Sequence, residues 1–498
     1  MTDRIRAAAD AVKRFLGSAL CWRIVFGLFV LETLWLVLSA QYPLAFDENY
    51  HFGLIQLHAQ QWLPFFTSQP ADAGVYGAIV RDPSYLYHWL MSFPYRLIGV
   101  FTDNQTAQII FLRLINVGLF AYGLVLYRRM ARRLGASPAL SNSLLALFIL
   151  IPIVPYLAAH INYDNLLLVM VPLAVLLALR LLDGFREKRV DAAALLWLFV
   201  LLLLGSLVKY PFLPVAAAVA AVLAVYVWRS GLLGTRGVHN FVTSFGRLDR
   251  FKQIVLIAAC LLSFGLFAER YGVNLMRHHD PVPACNVAIS HQECLQYGPY
   301  ARDYGYTQGK SPDFHPDVSF YVWQWLRGMW YRLFFAINYN YFNNPPLYVI
   351  SRLAIVVCVL LVAGIAVRFR TLFAGSPARQ LVLVVMLGYV LVLFADGFSS
   401  YAKTGVAVAI NGRYLIPFLP LLGMLGGLAW SQILRRYPVA KTAVAGLVLA
   451  VFLLQGGGTM TFIVRSSDDW YWKNDFVRGV NRTVRDVVSP TILGKGLQ

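Results

Sequence analysis

The segment WRIVFGLFVLETLWLVLSAQYPLAFDENYHF, residues 22–52, runs from a long apolar stretch straight into a pair of carboxylates. Residues 22–40 nearly match the roughly 20 apolar residues that a helix needs to cross a bilayer. In lipid, a chain satisfies its backbone polar groups best as a helix, so this stretch predicts a transmembrane helix. Asp47 and Glu48 follow it closely, and their position relative to the membrane therefore decides what they do.

The composition excludes an ordinary soluble domain. Of the 498 residues, 59% are hydrophobic and only 13% are charged, and the mean hydropathy is +0.60. Apolar runs recur along the chain and predict an all-α polytopic membrane protein with about eleven transmembrane helices. The predicted spans are residues 22–41, 111–127, 139–157, 164–182, 192–208, 211–228, 253–270, 348–367, 380–397, 414–433 and 441–458.

The net charge of +19 could suggest a nucleic-acid partner, but much of the Lys and Arg lies in short links between predicted spans. Short basic links mark the cytoplasmic side of a membrane protein. These links alternate along the chain, which places the N-terminus in the cytoplasm of a multi-pass inner-membrane protein. Asp47 and the C-terminal tail then lie outside, and we predict membrane lipids rather than nucleic acid as partners.

This topology predicts three parts. Residues 1–270 form a transmembrane module whose first external loop, 42–110, carries Asp47, and residues 271–347 form a second external loop. Residues 348–498 supply the last transmembrane helices and the external tail. Each loop contains one aromatic stretch, 82–101 and 320–342, whose Trp, Tyr and Arg content predicts an interfacial helix.

Asp47 and Glu48 allow two interpretations. They can be solvated carboxylates that cap the next helix. Alternatively, one of two neighbouring carboxylates in a partly desolvated pocket is a general base. His51 lies about one helical turn further on, where it can orient a carboxylate, contact a phosphate or bind a metal. The spacing of Glu48 and His51 is a weak metal signal, and we predict no metal site from it.

The stretch RDPSYLYH, residues 81–88, also allows two interpretations. It can be an ordinary turn into an amphipathic helix, or Arg81, Tyr85 and His88 can form a clamp at the lipid surface. A third polar group follows in HINYDNLLL, where Asp164 lies at the turn between the third and fourth predicted spans.

Two further cations lie at the external ends of predicted spans. Lys209, in SLVKYPFLP, either extends to the interface or binds an anionic head group. Arg413, in AINGRYLIPF, is either an interfacial anchor or a phosphate ligand, because its planar fork offers paired donors. Cations and carboxylates thus collect on one face, as a phosphate-bearing lipid substrate with a leaving group would require.

Five cysteines are present, and two of them, Cys285 and Cys294, share the loop PACNVAISHQECLQYGPY. A loop outside the cytoplasm is in an oxidising compartment, so we expect these two to form a disulfide.

Taken in order, several motifs resemble the GT-C superfamily of polyprenyl-phosphate-dependent glycosyltransferases, which includes protein mannosyltransferases and aminoarabinose transferases. FDENYHF stands where those enzymes carry an Asp-Glu motif in the first external loop. DPSYLYHWL is similar to their PPLYYWL stretch, although it begins with Asp-Pro-Ser. INYDNLLL and NGRYLIPFLPLL are similar to later segments. The resemblance is good over residues 20–230 and patchy afterwards.

The resemblance implies a GT-C fold and an inverting transfer of a sugar from a polyprenyl phosphate to an envelope glycan, lipid or protein. Asp47 would be the catalytic base with Glu48 in support, and Lys209, Arg413 and Arg81 would be candidates for binding the donor phosphate. The resemblance leaves a divalent metal open, since some members use one and others do not.

Two other functions fit parts of the sequence. A lipid-linked glycan polymerase or ligase would place its chemistry in the second loop, at Arg327 and Arg332. A transporter or flippase would place charges near the midplane and often show repeated halves. Here the charges gather at the external ends and no repeat is visible, which favours the transferase.

Overall fold

The computed structural model describes residues 2–44, 47–334 and 348–493. Across these ranges the chain is mainly helical and forms no β-sheet, and the one isolated bridge pairs Ala40 with Tyr471. Seven of the described helices are long and apolar enough to cross a membrane. The predicted class, an all-α polytopic membrane protein, is confirmed.

The N-terminal part contains most of the helices that surround the polar residues singled out above. Its α-helices are α1 (Thr2–Gly17), α2 (Ala19–Ser39), α3 (Glu48–His58), α4 (Leu86–Gly99), α5 (Gln105–Arg133), α6 (Pro138–Ile149), α7 (Ile153–Ala158), α8 (Asp164–Arg186), α9 (Ala192–Val208), α10 (Leu213–Arg229), α11 (Thr235–Gly246), α12 (Arg250–Phe267) and α13 (Val273–His278).

The second loop and the C-terminal part follow. Their α-helices are α14 (Cys285–Ala288), α15 (His291–Cys294), α16 (Gly298–Gln308), α17 (Val318–Phe334), α18 (Tyr348–Val367), α19 (Phe369–Phe373), α20 (Pro377–Thr404), α21 (Leu419–Ile433), α22 (Pro438–Leu454), α23 (Thr459–Arg465) and α24 (Asp475–Leu493).

Every predicted span falls mainly on helix. Four predicted spans fall on helices whose described apolar stretches are shorter than those of the seven membrane-crossing candidates. They are residues 139–157 (α6 with α7), 192–208 (α9), 348–367 (α18) and 414–433 (α21). These four stay predictions. Of the two predicted interfacial stretches, 82–101 contains α4 and 320–342 begins with most of α17, while residues 335–342 lie outside the described ranges.

The centre of the bundle is α8, which packs against α5, α9 and α10. The contact with α5 is close, because a Cβ at Gly123 would lie 2.8 Å from the carbonyl oxygen of Leu168. Asn165, at the start of α8, donates to Asn116 in the first half of α5, and Arg133 pairs with Asp183 near the ends of the two helices. The two helices therefore run parallel, and both start at the end of the bundle that carries Asp47.

Local sequence features terminate several helices at the end of the bundle that carries Asp47. After α2, Gln41 donates its N–H to the carbonyl oxygen of Trp470 at 2.8 Å, and Pro43 has no N–H with which to continue a helix. Pro211 follows α9 closely, and Gly405, with a φ of +74°, ends α20. The short polar links created by these breaks carry the candidate site residues.

Candidate active site

Asp47 immediately precedes α3, but its side chain makes no hydrogen bond to the first turn of that helix. The carboxylate instead accepts a hydrogen bond from Nη2 of Arg413. The Asp47 side chain is 50% exposed while that of Arg413 is 4% exposed, so the carboxylate faces open space and the guanidinium lies behind it. The structure therefore joins two of the predicted site residues and gives Asp47 a role other than helix capping.

Arg413 reaches Asp47 from a short 3-10 helix, Gly412–Leu415, that precedes α21. The side-chain oxygen of Asn411 accepts the N–H of Arg413 at 3.1 Å and fixes the start of this turn. Gly412 lies against α17, where a Cβ would be 2.2 Å from the carbonyl oxygen of Met329. Only glycine allows this approach, so the position of Arg413 depends on it.

A second ion pair lies beside the first. Lys209 donates to Oδ1 of Asp164 at 2.6 Å, and Oδ2 of Asp164 lies 3.9 Å from Nε of Arg413. Lys209 and Asp164 are both buried, so Lys209 does not extend to the interface. The four groups Asp47, Arg413, Asp164 and Lys209 alternate in sign, and their formal charges cancel.

The charges of the first pair stabilise each other. Burial alone would raise the pKa of the Asp47 carboxyl, but the Arg413 guanidinium outweighs this and holds that pKa below its ordinary value. Burial alone would lower the pKa of Arg413, and Asp47 reverses this and raises it. Asp47 is therefore ionised at neutral pH, as a group that accepts a proton must be.

Glu48 has a different environment from Asp47. It is fully buried, and Arg113 donates to both of its oxygens at 2.8 Å. The same carboxylate accepts the N–H groups of Leu44 at 2.6 Å and Ile161 at 3.1 Å. Glu48 thus ties the segment before α3 to α5 and to the link before α8. This geometry assigns it to positioning the site and keeps it out of contact with a substrate.

His51 and His88 form a buried pair. Nδ1 of His51 lies 2.8 Å from Nε2 of His88, and the two rings are stacked. Burial lowers the pKa of His88 to about 3 and, together with the charge on a protonated His88, lowers that of His51 well below its ordinary value. Both are therefore neutral, and neither supplies a positive charge for a phosphate.

The stretch 81–88 divides between two environments. Arg81 lies 3.5 Å from Glu269, and the ring of Tyr85 lies 5.0 Å from the Arg270 guanidinium. Both are directed toward the end of α12, so the predicted clamp is not formed by these two residues. His88 faces the space in front of Asp47.

That space is a cavity of about 540 Å³. Five tyrosines surround its charged groups and provide the flat apolar surfaces on which a sugar ring can stack. The lining residues are Asp47, Tyr50, Val75, Asp82, Ser84, His88, Tyr163, Tyr210, Tyr297, Gly298, Pro299, Arg302, Arg332, Ala409, Ile410, Asn411, Arg413 and Tyr414.

The two external loops meet at this cavity. Cys285 and Cys294 form a disulfide, and Tyr297 follows it at the cavity wall. A Cβ at Gly77, which has a φ of +77°, would lie 3.1 Å from the Tyr297 ring. The first loop therefore packs directly on the second, and the site is built from both. Sequence reasoning missed Tyr50, Asp82, Tyr210, Tyr297 and Arg302.

A metal site is not evident in the part of the chain that the structure describes. No three His, Cys, Asp or Glu side chains there are grouped as a metal ion would require. Of the carboxylates that line the cavity, Asp47 is instead paired with Arg413.

The fold and the cavity define a polytopic helical membrane protein with an ionic site at one end of its helices. The chain matches no known protein-family model and no curated protein by sequence. Among solved structures it is similar to ArnT from Cupriavidus metallidurans bound to undecaprenyl phosphate, with a TM-score of 0.46 and 16% identity. It is also similar to the apo state of ArnT, with a TM-score of 0.48 and 14% identity. Both matches cover 96% of this chain and 71% of the other.

Proposed function

We propose that this chain is an inverting glycosyltransferase of the GT-C type that uses a sugar on a polyprenyl phosphate as donor. The acceptor is a hydroxyl of a cell-envelope glycan, lipid or protein, and the reaction takes place on the outer face of the cytoplasmic membrane. The observation that carries the proposal is the pairing of Asp47 with Arg413 at the wall of a tyrosine-lined cavity. The order of the GT-C-like motifs along the sequence supports it independently.

In the proposed reaction, the acceptor oxygen attacks the anomeric carbon on the face opposite the phosphate. A new carbon–oxygen bond forms there while the bond from that carbon to the phosphate oxygen breaks, which inverts the configuration. The acceptor proton passes to the Asp47 carboxylate, and the bonding electrons leave with the phosphate. Arg413, whose guanidinium can bind two phosphate oxygens, holds the leaving group.

The charges of the site suit this step. Before reaction, Asp47, Arg413, Asp164 and Lys209 carry no net charge, and the donor phosphodiester carries one negative charge. When Asp47 takes the proton, the other three groups retain one net positive charge. The leaving phosphate gains its second negative charge in the same step. The net positive charge of the three remaining groups therefore offsets the new negative charge on the phosphate.

Replacing Asp47 tests the proposal directly. We expect Asp47→Asn to lower kcat for transfer from a polyprenyl-phosphate sugar by about 10²- to 10⁴-fold, the usual contribution of a general base. Asp313→Asn is the matched control, because Asp313 is exposed and does not line the cavity. Transfer by Asp47→Asn at the rate of the control would refute the assigned base.

One observation favours the alternative function, a lipid-linked glycan polymerase or ligase. Arg332, in the second loop, lines the same cavity as Asp47, whereas Arg327 does not. A ligase centred on the second loop would lose most activity in Arg332→Ala and retain it in Asp47→Asn. The proposed transferase predicts the larger loss in Asp47→Asn.

A further inference from the structure

A second large cleft lies at the opposite end of the bundle. It has a volume of about 1030 Å³ and opens between the C-terminal halves of α5 and α8. Its lining residues are Tyr122, Val125, Leu126, Arg128, Arg129, Arg132, Arg133, Leu173, Leu176, Leu177, Arg180 and Asp183. The proposed transferase reaction uses none of them.

The distance between this cleft and the Asp47 site follows from helix geometry. Arg129 lies 16 residues after Arg113 on α5, and Arg180 lies 16 residues after Asp164 on α8. At 1.5 Å per residue, each separation is roughly 24 Å, close to the thickness of the hydrocarbon core. The cleft therefore faces the other leaflet, which is cytoplasmic in the predicted topology.

The cleft is apolar at one end and basic at the other. Leu126 of α5 and Leu177 of α8 belong to its apolar walls, and the arginines begin within one turn on both helices. Because the helices are parallel, both change from apolar to basic at the same level. A site of this shape matches a molecule with hydrocarbon chains and a charged head.

Part of the positive charge is already neutralised. Arg133 pairs with Asp183, and Arg180 pairs with Asp191. Arg129 and Arg132 are exposed, and no ion pair among the described residues includes either of them. The cleft thus carries cationic charge that its own acidic residues do not balance.

We propose that this cleft binds a phospholipid with an anionic head group from the leaflet at this end of the bundle. Its phosphate lies between Arg129 and Arg132, and its acyl chains lie along the leucine walls of α5 and α8. Basic clefts between transmembrane helices on the cytoplasmic side are suited to such head groups. A soluble polyanion would use the arginines alone and leave the apolar walls uncovered.

Lipid binding to the purified full-length protein tests this site. Native mass spectrometry would compare phosphatidylglycerol with phosphatidylcholine of the same chains, and with the deacylated phosphatidylglycerol head group. We expect phosphatidylglycerol to bind at least tenfold more tightly than either, because only it offers both the charge and the chains.

The variant Arg129→Gln/Arg132→Gln should reduce phosphatidylglycerol binding by about tenfold or more. The variant Arg435→Gln/Arg436→Gln is the matched control, since it removes the same charge from two exposed arginines outside the cleft. Equal losses in both variants would mean a non-specific charge effect and would overturn the site. Equal binding of phosphatidylcholine, or equally tight binding of the deacylated head group, would overturn the proposed ligand.

Discussion

Asp47 and Arg413 stabilise each other's charge at the cavity wall. While Arg413 holds the carboxylate, the pKa of Asp47 stays below its ordinary value and Asp47 is a weak base. A donor phosphate that binds Arg413 competes for the same guanidinium. We therefore expect the bound donor to release Asp47 and raise its pKa, so that the base becomes stronger when a substrate is present.

Replacing Arg413 tests this coupling. In Arg413→Gln we expect kcat/KM to fall by about 10- to 100-fold, because the charged hydrogen bond to the donor phosphate in the proposed reaction is lost. The acid limb of the kcat/KM profile, which reports the free enzyme, should move to higher pH, because without the guanidinium the pKa of Asp47 rises. Arg413→Lys keeps the charge and should keep the limb at low pH. A loss of activity with an unmoved acid limb in Arg413→Gln would contradict the coupling.

Glu48 has a structural task that can be measured as stability. Glu48→Gln leaves the buried Arg113 charge uncompensated and should lower the free energy of unfolding by about 3 kcal/mol. The control is Asp183→Asn, which breaks a half-exposed pair and should change it by less than about 1 kcal/mol. Thermal unfolding in detergent would measure both, and similar small shifts in the two variants would argue against the assigned role.

At the scale of elements, the site depends on how closely short segments approach long helices. The 3-10 helix that carries Arg413 is not covalently near Asp47, and its position is set by contact with α17. The Cys285–Cys294 segment is likewise positioned by its contact with the first loop. A small displacement of these backbone segments would therefore move the side chains that they contribute to the cavity.

Gly412→Ala should therefore impair activity although it removes no functional group. The added Cβ would meet the carbonyl oxygen of Met329, and overpacking of this kind costs about 1–3 kcal/mol. A shift of Arg413 by about 1 Å could lower kcat by about 100-fold. Gly446→Ala is the control, because nothing lies within 4 Å of its added Cβ. Wild-type kcat in Gly412→Ala would show that this contact does not position Arg413.

At the scale of the whole molecule, the sequence predicted the helical membrane architecture and several members of the site. Hydrophobic runs are a strong signal because the bilayer sets their length. Asp47, Lys209 and Arg413 stood out as polar residues at the ends of such runs. Their pairing depends on contacts between distant segments, which local patterns do not specify.

The cavity wall was harder to predict for the same reason. Tyr297 is one of 27 tyrosines and has no local pattern that distinguishes it. Arg113, in contrast, carried a usable signal, because a charge within an apolar run needs a partner. The sequence predicts a catalytic role for its partner, Glu48, only because Glu48 is next to Asp47. Adjacent side chains face different directions, so this neighbourhood does not place Glu48 in the cavity.

The buried histidines predict how the stability of the whole protein depends on pH. His51, His58, His88 and His160 are buried, and burial lowers the pKa of each in the folded state. The unfolded chain has an ordinary histidine pKa of about 6.5 and so binds more protons below that pH. Stability should therefore fall as the pH drops below about 6.5, by up to about 1.4 kcal/mol per pH unit for each histidine.

The measurement is the apparent Tm in detergent between pH 7.5 and pH 5. His51→Gln/His88→Gln should reduce the slope in this range, because two of the contributing groups are removed. The ionised Glu48 acts in the same direction but only at lower pH, since its folded pKa lies below its ordinary value. An unchanged slope in the double variant would mean that this pair does not titrate as its burial implies.

The disulfide beside Tyr297 has a consequence for how the protein matures. With the second loop outside the cytoplasm, as the topology predicts, Cys285 and Cys294 meet an oxidant only after that loop has been translocated. In a newly made chain, the helices before the second loop and the Asp47 loop therefore precede the disulfide at the Tyr297 wall of the cavity. In the predicted topology, this wall of the cavity is therefore completed only on the external side of the membrane.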